Sequence, residues 1–403
     1  MKKKLAALMM CGVLQAALLA GCAATTDTTQ NDETQTQVSV SETETETVPE
    51  TTDTVEMEEF ADVTAQEIVD DIRIGWNLGN TLDSASSGSL VKIAEMGWGN
   101  PLTTQEMIDA VADAGFNAVR IPVTWYGLTG AGPEYKINEQ WLARVKEVVD
   151  YARANDMYVI INMHHDSDWI ALNYDEIDAT EEQLRAMWTQ IANYFIGYDE
   201  HLIFEGMNEP RCIGTNIEWT GGDDESRDCI NRLDAAFVET VRATGGNNEK
   251  RLLMVPDYAA SSAEVALAAL EVPDDDMICV SVHAYIPYSF ALANPGVSEW
   301  SADNTSEIDS FLANLDKYFI SRGIPVIIGE MGAMNKDNEE NRAEIMSYYV
   351  EQAAEEGIPC FWWDNNAFTG DGENFGLLNR ATLEWEYPTL LQSLMDASAS
   401  RVK

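Results

Sequence analysis

Two glutamates stand where an apolar run turns polar: Glu209 in Leu202-Ile203-Phe204-Glu205-Gly206-Met207-Asn208-Glu209-Pro210, and Glu330 in Val326-Ile327-Ile328-Gly329-Glu330. Other apolar runs close in the same way, on Asn77 and Asn80, Arg120, His164-His165-Asp166, His283-Ala284-Tyr285 and Trp363. Three of the chain's four histidines fall among these positions, which a random scatter would rarely do. Two carboxyl groups that face one another can serve as proton donor and nucleophile on an acetal, the requirement for hydrolysing a glycosidic bond. A gap of roughly 5–5.5 Å leads through a covalent sugar ester with retention, and a wider one favours inversion. Either glutamate alone could equally serve a salt bridge to a rim arginine; the two together, in this company, point to catalysis. A sugar also needs aromatic surface under its CH faces and polar partners at its hydroxyl edges. Trp363 suits the first need, and Asn80, Asp83, His165 and Tyr285 suit the second.

Eight short apolar runs must position these residues: Arg73–Gly79, Ala118–Val123, Tyr158–His165, Leu202–Glu209, Arg251–Tyr258, Ile278–Tyr285, Pro325–Gly332 and Cys360–Asn365. Between them lie amphipathic patterns with apolar residues at three- and four-residue steps, as in Trp141–Ala154, Glu181–Ile196, Arg232–Ala243, Ile308–Ile320 and Arg342–Glu355. Alternating strands and helices imply a parallel sheet with right-handed crossovers. Eight such units over residues 60–403 predict an α/β fold, a closed (β/α)8 TIM barrel in a single catalytic domain. The polar run ends then share the C-terminal rim, where active sites of such barrels lie. No glycine fingerprint of a dinucleotide or phosphate loop follows any run, and no cofactor is expected. Adjacent residues of a strand face opposite ways, so His164 and His165 are not expected to chelate one ion, and no metal is expected.

The ends read differently. Met1–Lys4 and the apolar Leu5–Ala20 form a secretory signal, residues 1–21, ending in Leu19-Ala20-Gly21-Cys22, which resembles a bacterial lipobox. That resemblance implies lipid attachment at Cys22 and an extracytoplasmic, cell-surface or outer-membrane lipoprotein. Residues 22–59, rich in Thr, Glu, Asp, Gln and Ser, read as a disordered acidic tether. The net charge of −45, from 24 basic and 69 acidic residues, excludes nucleic acid as a partner and suits a neutral polymer. Of the six cysteines, Cys279 and Cys360 lie in apolar runs as buried thiols. Cys212 and Cys229 flank a Gly- and Asp-rich stretch, and an oxidising compartment would permit them to pair.

Asn208-Glu209-Pro210, Glu330 after a β-branched run, His283-Ala284-Tyr285 and Trp363 together resemble glycoside hydrolase family 5. Further stretches are similar to its subfamily 4, the endo-acting β-glucanases: Gly75-Trp76-Asn77-Leu78-Gly79-Asn80-Thr81-Leu82-Asp83, Trp98-Gly99-Asn100-Pro101 and Phe361-Trp362-Trp363-Asp364-Asn365. The likeness spans Val69 to Leu394, and the Cys212–Cys229 segment is a feature it does not cover. It implies Glu209 as general acid then base, kept protonated by a less solvated setting, and Glu330 as nucleophile, bonded by Tyr285 and Arg120. It further implies Asn208 on the sugar 2-hydroxyl, with His164, His165 and His283 orienting carboxylates and sugar hydroxyls. Trp363 would stack under the sugar that is cleaved, while Trp98, Trp125, Trp169, Trp219 and Trp300 are candidates to line the cleft.

Three readings remain open at this point: an endo-β-1,4-glucanase on cellulosic, mixed-linkage or xyloglucan chains; a mannanase or xylanase on the same barrel; and a surface glycan-binding lipoprotein without turnover. Glu209 and Glu330 together speak against the last. A monomer is expected.

Overall fold

The eight apolar runs pair side by side, in chain order, into one closed parallel barrel. Its strands are β1 (Gly75–Leu78), β2 (Ala118–Ile121), β3 (Tyr158–Asn162), β4 (Leu202–Glu205), β5 (Leu253–Pro256), β6 (Ile278–His283), β7 (Val326–Met331) and β8 (Cys360–Asp364), with β8 returning to β1. The computed structural model describes residues 56–399, apart from 87, 89, 167–168 and 302–304. The expected signal segment, Cys11, Cys22 and nearly all of the expected tether lie outside the described residues. The tether boundary at residue 59 falls slightly late. Glu58 is already bound to the body, its N–H donating to the Gly197 carbonyl at 2.8 Å and its carboxylate accepting from Asp199 N–H at 3.0 Å. Among the described residues no helix is long and apolar enough to cross a membrane.

Strand alternation separates two buried layers. Val119, Ile121, Val159, Ile161, Phe204, Val255, Val280 and Ile328 face outward, under the surrounding helices. Ala118, Ile160, Ile203, Met254, Cys279, Ile327 and Phe361 fill the lower interior and pack against Ile68 and Val69 of the capping helix Ala65–Asp71 and against Ile72 at its C-cap. Gly75 is required here, because a Cβ on it would lie 2.0 Å from the Phe361 ring. One step up each strand the interior becomes polar: Asn77, Arg120, Asn162, Glu205 and Ser281 are all fully buried. The floor of the rim is thus a polar layer on an apolar plug.

The expected helices are present, each starting earlier than its apolar pattern. Glu139–Arg153 begins at the cap of Asn138, whose side chain accepts from Gln140 and Trp141 N–H. Asp224–Ala243 begins eight residues before the expected Arg232, where Asp223 and Ser226 form a reciprocal capping box. That start places Cys229 in the helix, 1% exposed, while Cys212 sits in the loop before it. Both are free thiols, so the permitted disulfide is absent.

Candidate active site

Strand β4 ends at Glu205, so the expected run to Glu209 overshoots by four residues. Glu209 instead stands on a loop that leaves the ladder at Gly206, where a Cβ would lie 2.7 Å from the Phe237 ring. Glu330 belongs to β7 itself, at an irregularity in its pairing with β6 and β8 that sets His283 opposite it. The two carboxylates are close, and oxygen atoms of Glu209 and Glu330 and a ring nitrogen of His283 all lie within 4.8 Å of one another.

Arg120 organises this pair from below. Its guanidinium donates to Glu330 Oε1 at 2.7 Å, Glu205 Oε2 at 2.8 Å, Asn77 Oδ1 at 3.0 Å and Asn208 Oδ1 at 2.6 Å. Asn208, its oxygen thus occupied, has its NH2 left to offer a further partner. Tyr285 donates to Glu330 Oε2 at 2.7 Å, so each oxygen of Glu330 has a donor, as expected from the sequence. Burial alone would raise the Glu205 carboxyl, but Arg120 and then His283 outweigh it and hold it at about 2. Glu205 was not singled out from the sequence; its signal is a carboxylate inside the apolar run Leu202-Ile203-Phe204.

Glu209 departs from expectation. His283 Nδ1 lies 2.9 Å from its Oε1, and Arg211 Nη1 lies 3.3 Å from its Oε2. Burial pushes this carboxyl up, but His283, Arg211 and Arg120 together hold it below its ordinary value. The setting expected to keep it protonated is dominated by cations, which favour the carboxylate. The same carboxylates act back on His283, where Glu330, Glu205 and Glu209 overcome burial and push the imidazole up to about 9.

His164 and His165 also correct the sequence reading. Both lie beyond the end of β3, where strand alternation no longer applies, and their rings meet edge to face with centroids 4.5 Å apart. With Asp83 they bring ligand-type atoms within 4.8 Å of one another. The argument from opposite faces therefore fails, but a tautomer argument replaces it. Asn162 Oδ1 accepts the Val123 N–H at 3.1 Å, so its NH2 donates, to Glu205 at 2.9 Å and to His164 Nδ1 at 3.2 Å. His164 then carries its proton on Nε2, which offers a donor to a hydroxyl and no lone pair to a metal. Burial keeps the His164 imidazole well below its ordinary value, and desolvation at the rim, opposed by Glu209, lowers that of His165 although its side chain is 47% exposed, so both are neutral at pH 7.

Asp83 does not offer an edge to a sugar. It is 1% exposed, and its carboxylate accepts the N–H groups of Asn80 at 3.0 Å and Thr81 at 2.5 Å. It fixes the turn on which Asn80, in the left-handed region at φ 56°, is presented at the rim. Trp363 lies nearly parallel to His164, with ring centroids 5.7 Å apart. The candidate tryptophans divide. Trp98 and Trp219 are exposed at 54% and 66%, with Trp98 beside His165 at 5.3 Å. Trp125 is buried and donates to the Asn162 carbonyl, Trp169 packs on Asp166, and Trp300 packs on Tyr348, so these three support loops. A cleft of about 790 Å³ opens beside the carboxylates, walled by Glu209, Trp219, His283, Tyr285, Tyr288 and Glu373. The sequence reading missed Arg211 and Glu373, which sit on loops, and Tyr288, which opens the four-residue helix Tyr288–Ala291, too short to leave a periodic signal.

The model of the cellulase family, glycosyl hydrolase family 5, matches residues 82–369. Endoglucanase A of Ruminococcus albus is 46% identical over 351 residues, covering 86% of this chain and 96% of the relative. A broad-specificity GH5-4 endoglucanase from Ruminococcus champanellensis, solved with cellotriose, superposes with a TM-score of 0.82 at 48% identity, covering 84% of this chain and all of that one. A GH5 xyloglucan-specific endo-β-1,4-glucanase from a metagenomic library, also solved with cellotriose, gives 0.80 at 46% identity over 82% of this chain and 98% of its own. With the barrel and the paired rim carboxylates already in place, these matches settle the family: the chain belongs to glycosyl hydrolase family 5, the cellulases.

Proposed function

We propose that this protein is a retaining, endo-acting β-1,4-glucanase that hydrolyses cellulosic, mixed-linkage or xyloglucan chains by double displacement. The observation that carries the mechanism is the approach of Glu209 and Glu330, with oxygens within 4.8 Å, the close spacing of a retaining pair and too narrow to hold both a sugar and the attacking water that inversion requires. Glu330, gripped by Arg120 and Tyr285, attacks the anomeric carbon. Glu209 protonates the departing oxygen and then deprotonates the water that resolves the ester. Asn208 donates to the 2-hydroxyl, a bond that strengthens in the transition state. The neutral imidazoles of His164 and His165 meet sugar hydroxyls, and Trp363 underlies the cleaved sugar. The cellotriose bound to the Ruminococcus champanellensis relative and the xyloglucan specificity of the metagenomic relative support the substrate range. The test is proton NMR of the first product together with viscosity loss on barley β-glucan, xyloglucan, carboxymethylcellulose and mannan. Retention with a rapid viscosity fall is expected. An inverted first product, or faster turnover on mannan than on any glucan, would overturn the reading.

The amino terminus supports a location as well. Leu19-Ala20-Gly21-Cys22 fits lipidation at Cys22, with the acidic segment after it as a spacer holding the barrel off an outward-facing membrane. Labelled fatty acid should appear on the wild-type protein and not on Cys22→Ser. Its absence from wild type would sink the anchor.

A further inference from the structure

Glu209 is asked to donate a proton, yet it is surrounded by cations. His283 occupies Oε1, which leaves Oε2 as the oxygen able to meet the departing oxygen of a substrate. Arg211 stands on that oxygen. Its Nη1 lies 3.3 Å from Oε2 and 3.0 Å from the Glu209 carbonyl. Both contacts are made from an unusual perch, since the guanidinium lies 4.4 Å from the centroid of the Trp219 ring and Nε lies 3.4 Å from Glu218 Oε1. Glu218 is in turn pinned by the Gly214 N–H at 2.8 Å. The loop is moored by Tyr258, whose hydroxyl accepts from Cys212 N–H at 2.9 Å and donates to the Ile217 carbonyl at 3.2 Å. Arg211 is therefore held by the segment after Pro210, not by the barrel.

We propose that Arg211, clamped between Glu209 and the Trp219 ring, is a positioning residue that sets the pH range over which Glu209 can donate its proton. The inference rests on the reading of Glu209 as the acid/base. The charged and titratable groups facing Glu209 come from every neighbouring element: Arg120 of β2, His165 after β3, His283 of β6 with Tyr285 after it, Glu330 of β7 and Glu373 after β8. Arg120 and His283 are buried and bonded to strand residues, so their fields are fixed by the fold. Arg211 joins them as the cation that a loop can present or withdraw, and the long contact to Oε2 suits a group that must yield to a substrate.

The test is the pH dependence of kcat/KM on cellotetraose, whose alkaline limb reports the acid in the free enzyme. Arg211→Met, which keeps the length and drops the charge, should move that limb upward by about one pH unit, hence about tenfold in relative rate on the alkaline side. Glu218→Gln removes the competing carboxylate, leaves Arg211 more available to Glu209, and should move the limb downward. A dinitrophenyl cellobioside, whose leaving group departs without protonation, should give wild type and Arg211→Met the same alkaline limb. An unchanged limb on cellotetraose in folded Arg211→Met overturns the proposal. Should that variant fail to fold, a Glu218→Gln limb at the wild-type position overturns it instead. Failure of the acid/base reading has a separate signature: Glu209→Gln would then hydrolyse cellotetraose as fast as wild type, whatever the Arg211 variant does.

Discussion

The two glutamates proposed as acid/base and nucleophile live in different kinds of structure. Glu330 is part of a strand, 5% exposed, with a charged donor on one oxygen and a phenol on the other, both at 2.7 Å. Glu209 is on a loop beyond its strand, and its Arg211 contact is longer, at 3.3 Å. The difference matches the two tasks. A nucleophile must keep one charge and one position, which short bonds from a rigid barrel supply. A group that gives and regains a proton within one turnover must let its surroundings change.

The sharpest way to break this comparison is to neutralise each glutamate in turn. Glu330→Gln should lower kcat by about four orders of magnitude or more on every substrate while cellotriose still binds by calorimetry. Azide should partly restore a Glu330→Gly variant, giving a product of inverted configuration. Glu209→Gln should lose comparably on glucans, yet still form the sugar ester quickly from a dinitrophenyl cellobioside. If both variants failed equally on that activated substrate, the division of labour would be wrong.

Removing the shared support comes next. Arg120→Met leaves Glu205 without its ion pair in a fully buried layer, which costs about 3–5 kcal/mol. Chemical denaturation should show that loss, and any folded fraction should lack activity. Smaller still is the titration of Glu205. Its folded-state value lies near 2 against 4.5 in a free carboxyl, so the stability it contributes is complete above about pH 4.5. That stability, about 3 kcal/mol, is lost as pH falls from about 4.5 toward 2. Denaturation midpoints across that window should fall steeply in wild type and more gently in Glu205→Gln. The smallest effect belongs to the loop region. With Cys212 and Cys229 as free thiols, dithiothreitol should leave the thermal midpoint unchanged, and Cys212→Ser should shift stability by less than about 1 kcal/mol. A drop of several degrees under reductant would show a closed bridge.

The strands were legible because each interior position needs an apolar or shape-matched residue, and the rim was legible because polarity returns at the run ends. What escaped the sequence lay where that periodicity stops. Glu209 reads as strand because Met207 and Phe204 are apolar, although the chain has already left the ladder at Gly206. Strand alternation puts His164 and His165 on opposite faces, but it ends at Asn162. Asp83 was read as a sugar partner from its place in a polar run, whereas unpaired backbone N–H groups of the turn claim its oxygens. Glu205 and Ser281, joined at 2.6 Å beneath the site, carry no motif of their own. The first turns of Asp224–Ala243 are polar, so only the Asp223 cap could have announced them.

The four-way grip of Arg120 has a consequence for how the barrel could be divided. The guanidinium and Glu205 come from the first four strands, whereas His283 and Glu330 come from the last four. A fragment ending before β5 would carry the cation and one counter-charge, already matched. Its complement would carry the nucleophile and the imidazole with no guanidinium to receive them. Two halves produced as separate chains would therefore be unequal: the first keeps Arg120 with Glu205, the second keeps Glu330 with only His283 beside it, and reunion returns the guanidinium to its second carboxylate. Reassembly of such a split enzyme would be driven beside the proposed catalytic pair, and restored hydrolysis would report it directly.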